Sequence, residues 1–125
     1  EVATAKGYPD ERYDLICFFD CLHDMGDPVG AARYAAQVLA PEGTVMLVEP
    51  FAGDRVEDNL NAVGRLYYAA STTLCLAHSL SEEVGLALGA QAGEARLAEV
   101  FHKAGFSHFR RATQTPFNLI LEARP

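Results

Sequence analysis

Tyr13 to Asp27, YDLICFFDCLHDMGD, decides how the chain folds. Tyr13 and the run Leu15 to Phe19 are apolar, with Asp14 the one interruption. Asp20, Cys21, His23, Asp24 and Asp27 follow at once. An apolar run that stops in a cluster of titratable groups reads as a buried parallel strand whose carboxyl end opens onto a site. Its length and its β-prone residues favour a strand over a buried helix.

Outward from that strand, Asp27 and Pro28 start a helix, Asp27 as cap and Pro28 at the first helical position. Ala31, Tyr34, Ala35, Val38 and Leu39 recur at helical spacing, and the alanines imply close packing onto a sheet. Pro41-Glu42-Gly43 stops the helix and turns the chain. Thr44 to Glu49, TVMLVE, is a second strand, closed by Pro50. Strand, helix, strand with short joints is a βαβ unit with a right-handed crossover, so the two strands lie parallel.

Asp54 to Ala77 reads as a second helical region, with Leu60, Val63, Leu66, Tyr67, Ala70 and Leu74 on its apolar face. Ser79 to Gly93 reads as a short helix and a mobile loop, because Gly85, Gly89 and Gly93 weaken any long helix. Residues 54–93 together form a helical cap over the sheet. Glu94 to Ala104 is a helix with Leu97, Val100, Phe101 and Ala104 inward and Gly105 past its end. Phe106 to Thr113 and Pro116 to Ala123 are strands joined by Gln114 and Thr115, an antiparallel hairpin. The fold class is α/β: a partial doubly wound, Rossmann-like sheet in one domain, residues 1–125. Residues 1–12, with Gly7 and Pro9, are a surface lead-in or a cut edge.

Composition sets outer bounds. Half of the 125 residues are hydrophobic and 22% are charged, enough to bury one core. A net charge of −7 argues against nucleic-acid binding, which needs a basic face. Arg110 and Arg111 are read as a solvated strand end. Three cysteines without metal spacing imply free thiols and a reducing, cytoplasmic setting. No apolar run is long enough to span a membrane. His78, His102 and His108 lack the spacing of a metal site and are read as surface or packing residues.

In order and spacing, these pieces resemble the carboxyl half of the class I S-adenosylmethionine-dependent methyltransferases. YDLICFFDCLHDMGDP resembles that family's fourth strand and the loop after it. LAPEGTVMLVEP resembles the turn and fifth strand. EARLAEVFHKAGF resembles the helix before the sixth strand, and the final hairpin resembles strands six and seven. The resemblance implies a Rossmann-like fold, S-adenosyl-L-methionine as cofactor and methyl transfer to a small, partly apolar acceptor. The family's glycine-rich loop and its ribose-binding acid have no counterpart here, so the chain is expected to lack the first three strands. Alone, it is expected to bind cofactor weakly at best and to be inactive.

By the same resemblance, Phe19, Asp20 and Cys21 border the cofactor; Phe19 as core and Asp20 as a turn residue are the alternatives. Leu22-His23-Asp24 resembles the segment that carries the general base of plant phenolic O-methyltransferases. Imidazole suits that role near neutral pH, but His23 equally suits capping a turn or lining the pocket. Glu49 and Phe51 point to the same edge, Glu49 towards a substrate group or the loop backbone. Tyr67, Tyr68, Gln91 and Asn118 are further substrate-side candidates. A second reading is an interaction module: LICFF would be an exposed sheet edge, sticky enough to drive a homodimer or higher oligomer.

Overall fold

The computed structural model describes residues 1–125. Strand β1 spans Tyr13–Phe19 and pairs in parallel with β2, Leu39–Pro50. Between them runs α1, Pro28–Val38. Asp27 caps this helix as expected: its Oδ1 accepts from the Gly30 amide at 2.8 Å, and Pro28 sits at the first turn. The second strand begins five residues earlier than the sequence reading placed it. Tyr13 pairs with Leu39 and Leu15 with Thr44, so Ala40 to Gly43 bulge out of the ladder instead of separating helix from strand.

Strands β3, His108–Gln114, and β4, Asn118–Arg124, form the antiparallel hairpin. The sheet order is β1-β2-β4-β3, with β4 antiparallel to β2 and β1 at the edge. Arg110 and Arg111 are not merely solvated: they pair with Glu122 and Glu94.

One face of the sheet is covered. There α1 and α4, Gly93–Ala104, pack on each other and on the sheet. Ala31, Ala32 and Ala35 are fully buried, and their small size lets the helices approach closely. Leu97, Val100, Phe101 and Ala104 form the inward stripe of α4, as its spacing implies. Gly105 ends it at φ +106°, with the Phe106 amide returning to the Phe101 carbonyl and the Gly105 amide to that of His102. This is the double closure of a Schellman turn, which favours glycine at the left-handed position.

Residues 54–93 differ most from expectation. Asp54 to Asn61 is loop with one 3-10 turn, Val56–Asn59, and helix α2 starts only at Ala62. It runs Ala62–Ala70, widens into a π-helical turn over Ser71–Cys75 and continues as α3, Leu76–Ser81. No new helix starts at Ser79 or Ser81; the chain from 82 to 92 is loop. The inward face is also rotated from the expected stripe: Val63, Tyr67 and Ala70 are half-buried, but the leucines are not. Leu60, Leu66 and Leu74 point to solvent, and the buried positions are Gly64, Ser71, Cys75 and Ser79. No helix is long and apolar enough to cross a membrane.

Candidate active site

Alternation along β2 sets the site. Val45, Leu47 and Glu49 fall on the covered face, so a carboxylate occupies a core position at the carboxyl end of the strand. Glu49 is 1% exposed, and a carboxylate so buried needs partners. It has two. Oε1 accepts from the Leu22 amide at 2.9 Å, and Oε2 meets His23 Nδ1. Both partners lie in the 3-10 turn Leu22–Asp24 that follows β1. One side chain of β2 therefore holds the loop after β1 in place.

His23 is 4% exposed. Its backbone carbonyl accepts from Gly89, and its Nε2 lies 3.1 Å from Asp24 Oδ1. Burial alone would lower its pKa. The Glu49 hydrogen bond and the charges of Glu49, Asp24 and Asp20 outweigh that and raise it above the ordinary value. Burial, and then the Glu49 charge, push the Cys21 thiol up.

Asp20 turns the chain at the strand end with φ +52°, a left-handed conformation that aspartate tolerates better than most residues. Its amide donates to the Val48 carbonyl at 2.7 Å. Phe19, beside it, is 61% exposed. Cys21 is half-buried against the core. The structure thus brings Phe19, Asp20, Cys21, His23 and Glu49 to one strand end.

The substrate-side candidates are more scattered. The amide of Phe51 and the hydroxyl of Tyr67 both donate to the Phe117 carbonyl, at 2.8 and 3.0 Å. Burial, with the Asp20 charge added, raises the Tyr67 pKa, so its ring belongs to the same neighbourhood. Tyr68 lies on the outer side of α2 and is exposed. Asn118 pairs with Pro50 at the start of β4. Gln91 is half-buried, and its Oε1 has no hydrogen-bond partner. Phe51 lines a cleft of about 420 Å³ with Asn61, Val63, Gln114, Thr115 and Pro116. Asp20, His23 and Glu49 line none of the five cavities; they sit at the strand ends beside the β1 edge.

Sequence reasoning named Asp24 in the polar cluster after β1 but read Cys75 only as a free thiol and missed that the two meet. Fifty-one positions apart, they come together with His23 between the loop and the π-helical turn. Burial and the neighbouring Asp24 carboxylate push the Cys75 thiol up to about 11. The cysteine sits four residues from Ser71 and four from Ser79, and that spacing of small side chains was the available signal.

A family model described as a methyltransferase domain matches residues 2–110. The chain belongs to that family. The match covers most of its length. Among solved structures, human N-acetylserotonin methyltransferase, determined with SAM, is 16% identical. That match covers 99% of this methyltransferase-domain chain and 32% of the human enzyme, with a TM-score of 0.70. The apo S-adenosylmethionine-dependent methyltransferase SibL is 20% identical, covering 100% of this chain and 35% of its own, with a TM-score of 0.71. PigF, determined with SAH, is 17% identical, covering 97% and 33%, with a TM-score of 0.70. Identities this low speak for the fold. The chain spans about a third of the length of these structures. No curated protein matches it in sequence.

Proposed function

We propose that the chain supplies one wall of an S-adenosyl-L-methionine-dependent methyltransferase site for a small, partly apolar acceptor. The observation that carries this reading is the polar strand end: a buried Glu49–His23 pair that fixes the loop after β1, inside a methyltransferase-domain fold. In open α/β sheets ligands bind outside the carboxyl ends of parallel strands, and that is where these residues sit.

The residues present fit one side of the cofactor. Phe19 offers an exposed ring face at the strand end, and Asp20 an exposed carboxylate, both suited to a cationic ligand. No glycine-rich turn follows a strand within these 125 residues: β1 leads into Asp20–Asp27 and β2 into Phe51–Asn61. The reading therefore assigns the remaining donors to another polypeptide segment. When bound, the cofactor supplies an electrophilic sulfonium methyl group. Phe19 and Asp20 border it, while Phe51 and Tyr67 shape the acceptor side. Glu49 holds His23, whose second nitrogen already faces Asp24, so His23 acts here as a positioning residue and not as the proton acceptor. Catalysis then rests on orienting the two reactants and excluding water.

The test joins the chain to a segment carrying a glycine-rich strand-to-helix turn, or uses the longest native polypeptide that contains it. Calorimetry reads cofactor binding, and transfer of a labelled methyl group to a panel of small phenols and amines reads activity. Failure of the assembled fold to bind the cofactor overturns the reading.

The edge position of β1 supports a second reading, self-association. Leu15 is 55% exposed on an edge strand whose outer side has no partner, and a two-fold axis there would pair two copies antiparallel.

A further inference from the structure

Three donor atoms of different chemistry meet beneath the π-helical turn. A His23 ring nitrogen, an Asp24 carboxylate oxygen and Cys75 Sγ all lie within 4.8 Å of one another. Nδ1 of His23 is engaged by Glu49, which leaves Nε2 for this cluster. We propose that His23 Nε2, Asp24 Oδ1 and Cys75 Sγ bind a single divalent cation of the zinc class.

Four observations carry this. The Nε2 to Oδ1 separation is 3.1 Å. Two ligands at bond lengths of about 2.1 Å in a tetrahedral site stand roughly 3.4 Å apart, so a few tenths of an ångström of movement suffice. Asp24 Oδ1 is buried and meets no donor in hydrogen-bonding geometry, although Nε2 and the Cys75 thiol both stand beside the carboxylate. The two atoms are close without the linear N–H···O arrangement, as expected of two ligands that share a third body.

Glu49 supplies the next feature. A metal-bound imidazole commonly donates its other N–H to a carboxylate, which fixes the ring and its tautomer. Glu49 stands in that position on Nδ1, fully buried and anchored by the Leu22 amide. The donor set is the last. One nitrogen, one oxygen and one sulfur suit a borderline-soft cation; magnesium and calcium prefer all-oxygen shells.

The backbone is suited to hold such a site. His23 and Asp24 occupy one 3-10 turn, tied to the cap by the bond from Gly89 to the His23 carbonyl. Cys75 is buried and closes the π-helical turn. Turns of this kind often mark functional positions in helices. Asp24 is the partly exposed member of the set, with 41% of its side chain open to solvent. Three protein ligands leave one position of a tetrahedral cation for water or a small molecule. The cation would clamp the cap to the loop after β1. This site does not depend on the methyltransferase reading.

The experiment titrates the chelator-treated 125-residue chain with Co²⁺ and records its absorption spectrum. Saturation at one equivalent is expected, with the strong visible bands of four-coordinate cobalt and a near-ultraviolet thiolate charge-transfer band. Cys75→Ser should abolish the charge-transfer band and weaken binding at least tenfold. Asp24→Asn, a partly exposed change that leaves the core intact, should also weaken binding at least tenfold. Cys17→Ser should change nothing. Zn²⁺ should displace the cobalt and raise the melting temperature of the unmodified chain but not of Asp24→Asn. Absence of one-equivalent binding overturns the proposal. So does a charge-transfer band that survives Cys75→Ser or disappears in Cys17→Ser. If Cys75→Ser fails to fold, as circular dichroism would reveal, Asp24→Asn decides alone: undiminished affinity in that variant refutes the site.

Discussion

Replacing Glu49 by alanine tests the centre of the site. The carboxylate is buried and serves two groups, the Leu22 amide and His23 Nδ1. Removing one member of a buried, hydrogen-bonded charged pair costs about 3–5 kcal/mol, because the other member is left desolvated and unpaired. An unfolding entropy of about 2.1 cal/mol/K per residue applied to 125 residues gives a loss of melting temperature of roughly 11–19 °C. Glu49→Gln keeps an acceptor for Leu22 but loses the charge facing His23, and should cost less, about 1.5–3 kcal/mol. Thermal unfolding followed by circular dichroism reads both. A double-mutant cycle with His23→Ala should show coupling on the order of 1–3 kcal/mol, since the residues touch. The reasoning fails if Glu49→Ala melts within about 4 °C of the unmodified chain, roughly 1 kcal/mol, or if the two substitutions simply add.

Three further outcomes follow from single contacts. Asp27→Ala removes the cap of α1 and should cost about 1 kcal/mol by urea unfolding near neutral pH. Burial works against the Asp27 carboxylate, but the Lys6 hydrogen bond and the Gly30 amide outweigh it and hold its pKa below 3.8. Its stabilisation is therefore complete above that unfolded-state value and lost as pH falls through the lower folded one; the two proteins should converge in strong acid, and a gap that widens there would contradict the assignment. Gly105→Ala meets no atom within 4 Å, so only the left-handed backbone is strained, at about 1–2 kcal/mol. Gly89→Ala adds a clash 2.4 Å from Ser71 Oγ to the same strain and should melt lower than Gly105→Ala; the reverse order would refute the close approach of loop and helix. Leu15→Lys on the β1 edge should abolish self-association in sedimentation at micromolar concentration, and a single-chain mass for the unmodified protein would sink the edge reading.

Much of the architecture was written in short-range signals. The Asp27-Pro28 start and the Ala104-Gly105-Phe106 stop are local chemistry, and both helices obey them. The alternation Val45, Leu47, Glu49 places a carboxylate among core residues, so a buried partner for Glu49 was implied by β2 alone. That the partner is His23 depends on the parallel register, Phe19 opposite Val48, which spacing does not reveal. The meeting of Asp24 with Cys75 depends on how the cap is turned, and there periodicity misled. Leu60, Leu66 and Leu74 recur as a stripe from just before α2 to the π-helical turn, yet they face outward.

The reason lies in what the cap must cover. Beneath it runs irregular backbone, which carries donors and acceptors that no ladder satisfies. Ser79 Oγ donates to the Met25 carbonyl and accepts from the Ala87 amide, while Ser71 Oγ accepts from the Ala90 amide. Turning the leucine stripe inward would gain about 1.5–3 kcal/mol for each leucine buried. It would also leave three backbone groups unpaired, at about 1–3 kcal/mol each, and press bulky side chains where Gly89 now touches Ser71. Close approach tips the balance, because Gly89 donates to the His23 carbonyl only if the helix above the loop is lined with small side chains. The spacing of four between Ser71, Cys75 and Ser79 would drift around an ordinary α-helix. The wider turn over Ser71–Cys75 offsets that drift and keeps all three on the loop side. The π-helical turn is thus the device by which a polar face is kept aligned over the site, and it is also what brings the Cys75 sulfur to His23 and Asp24.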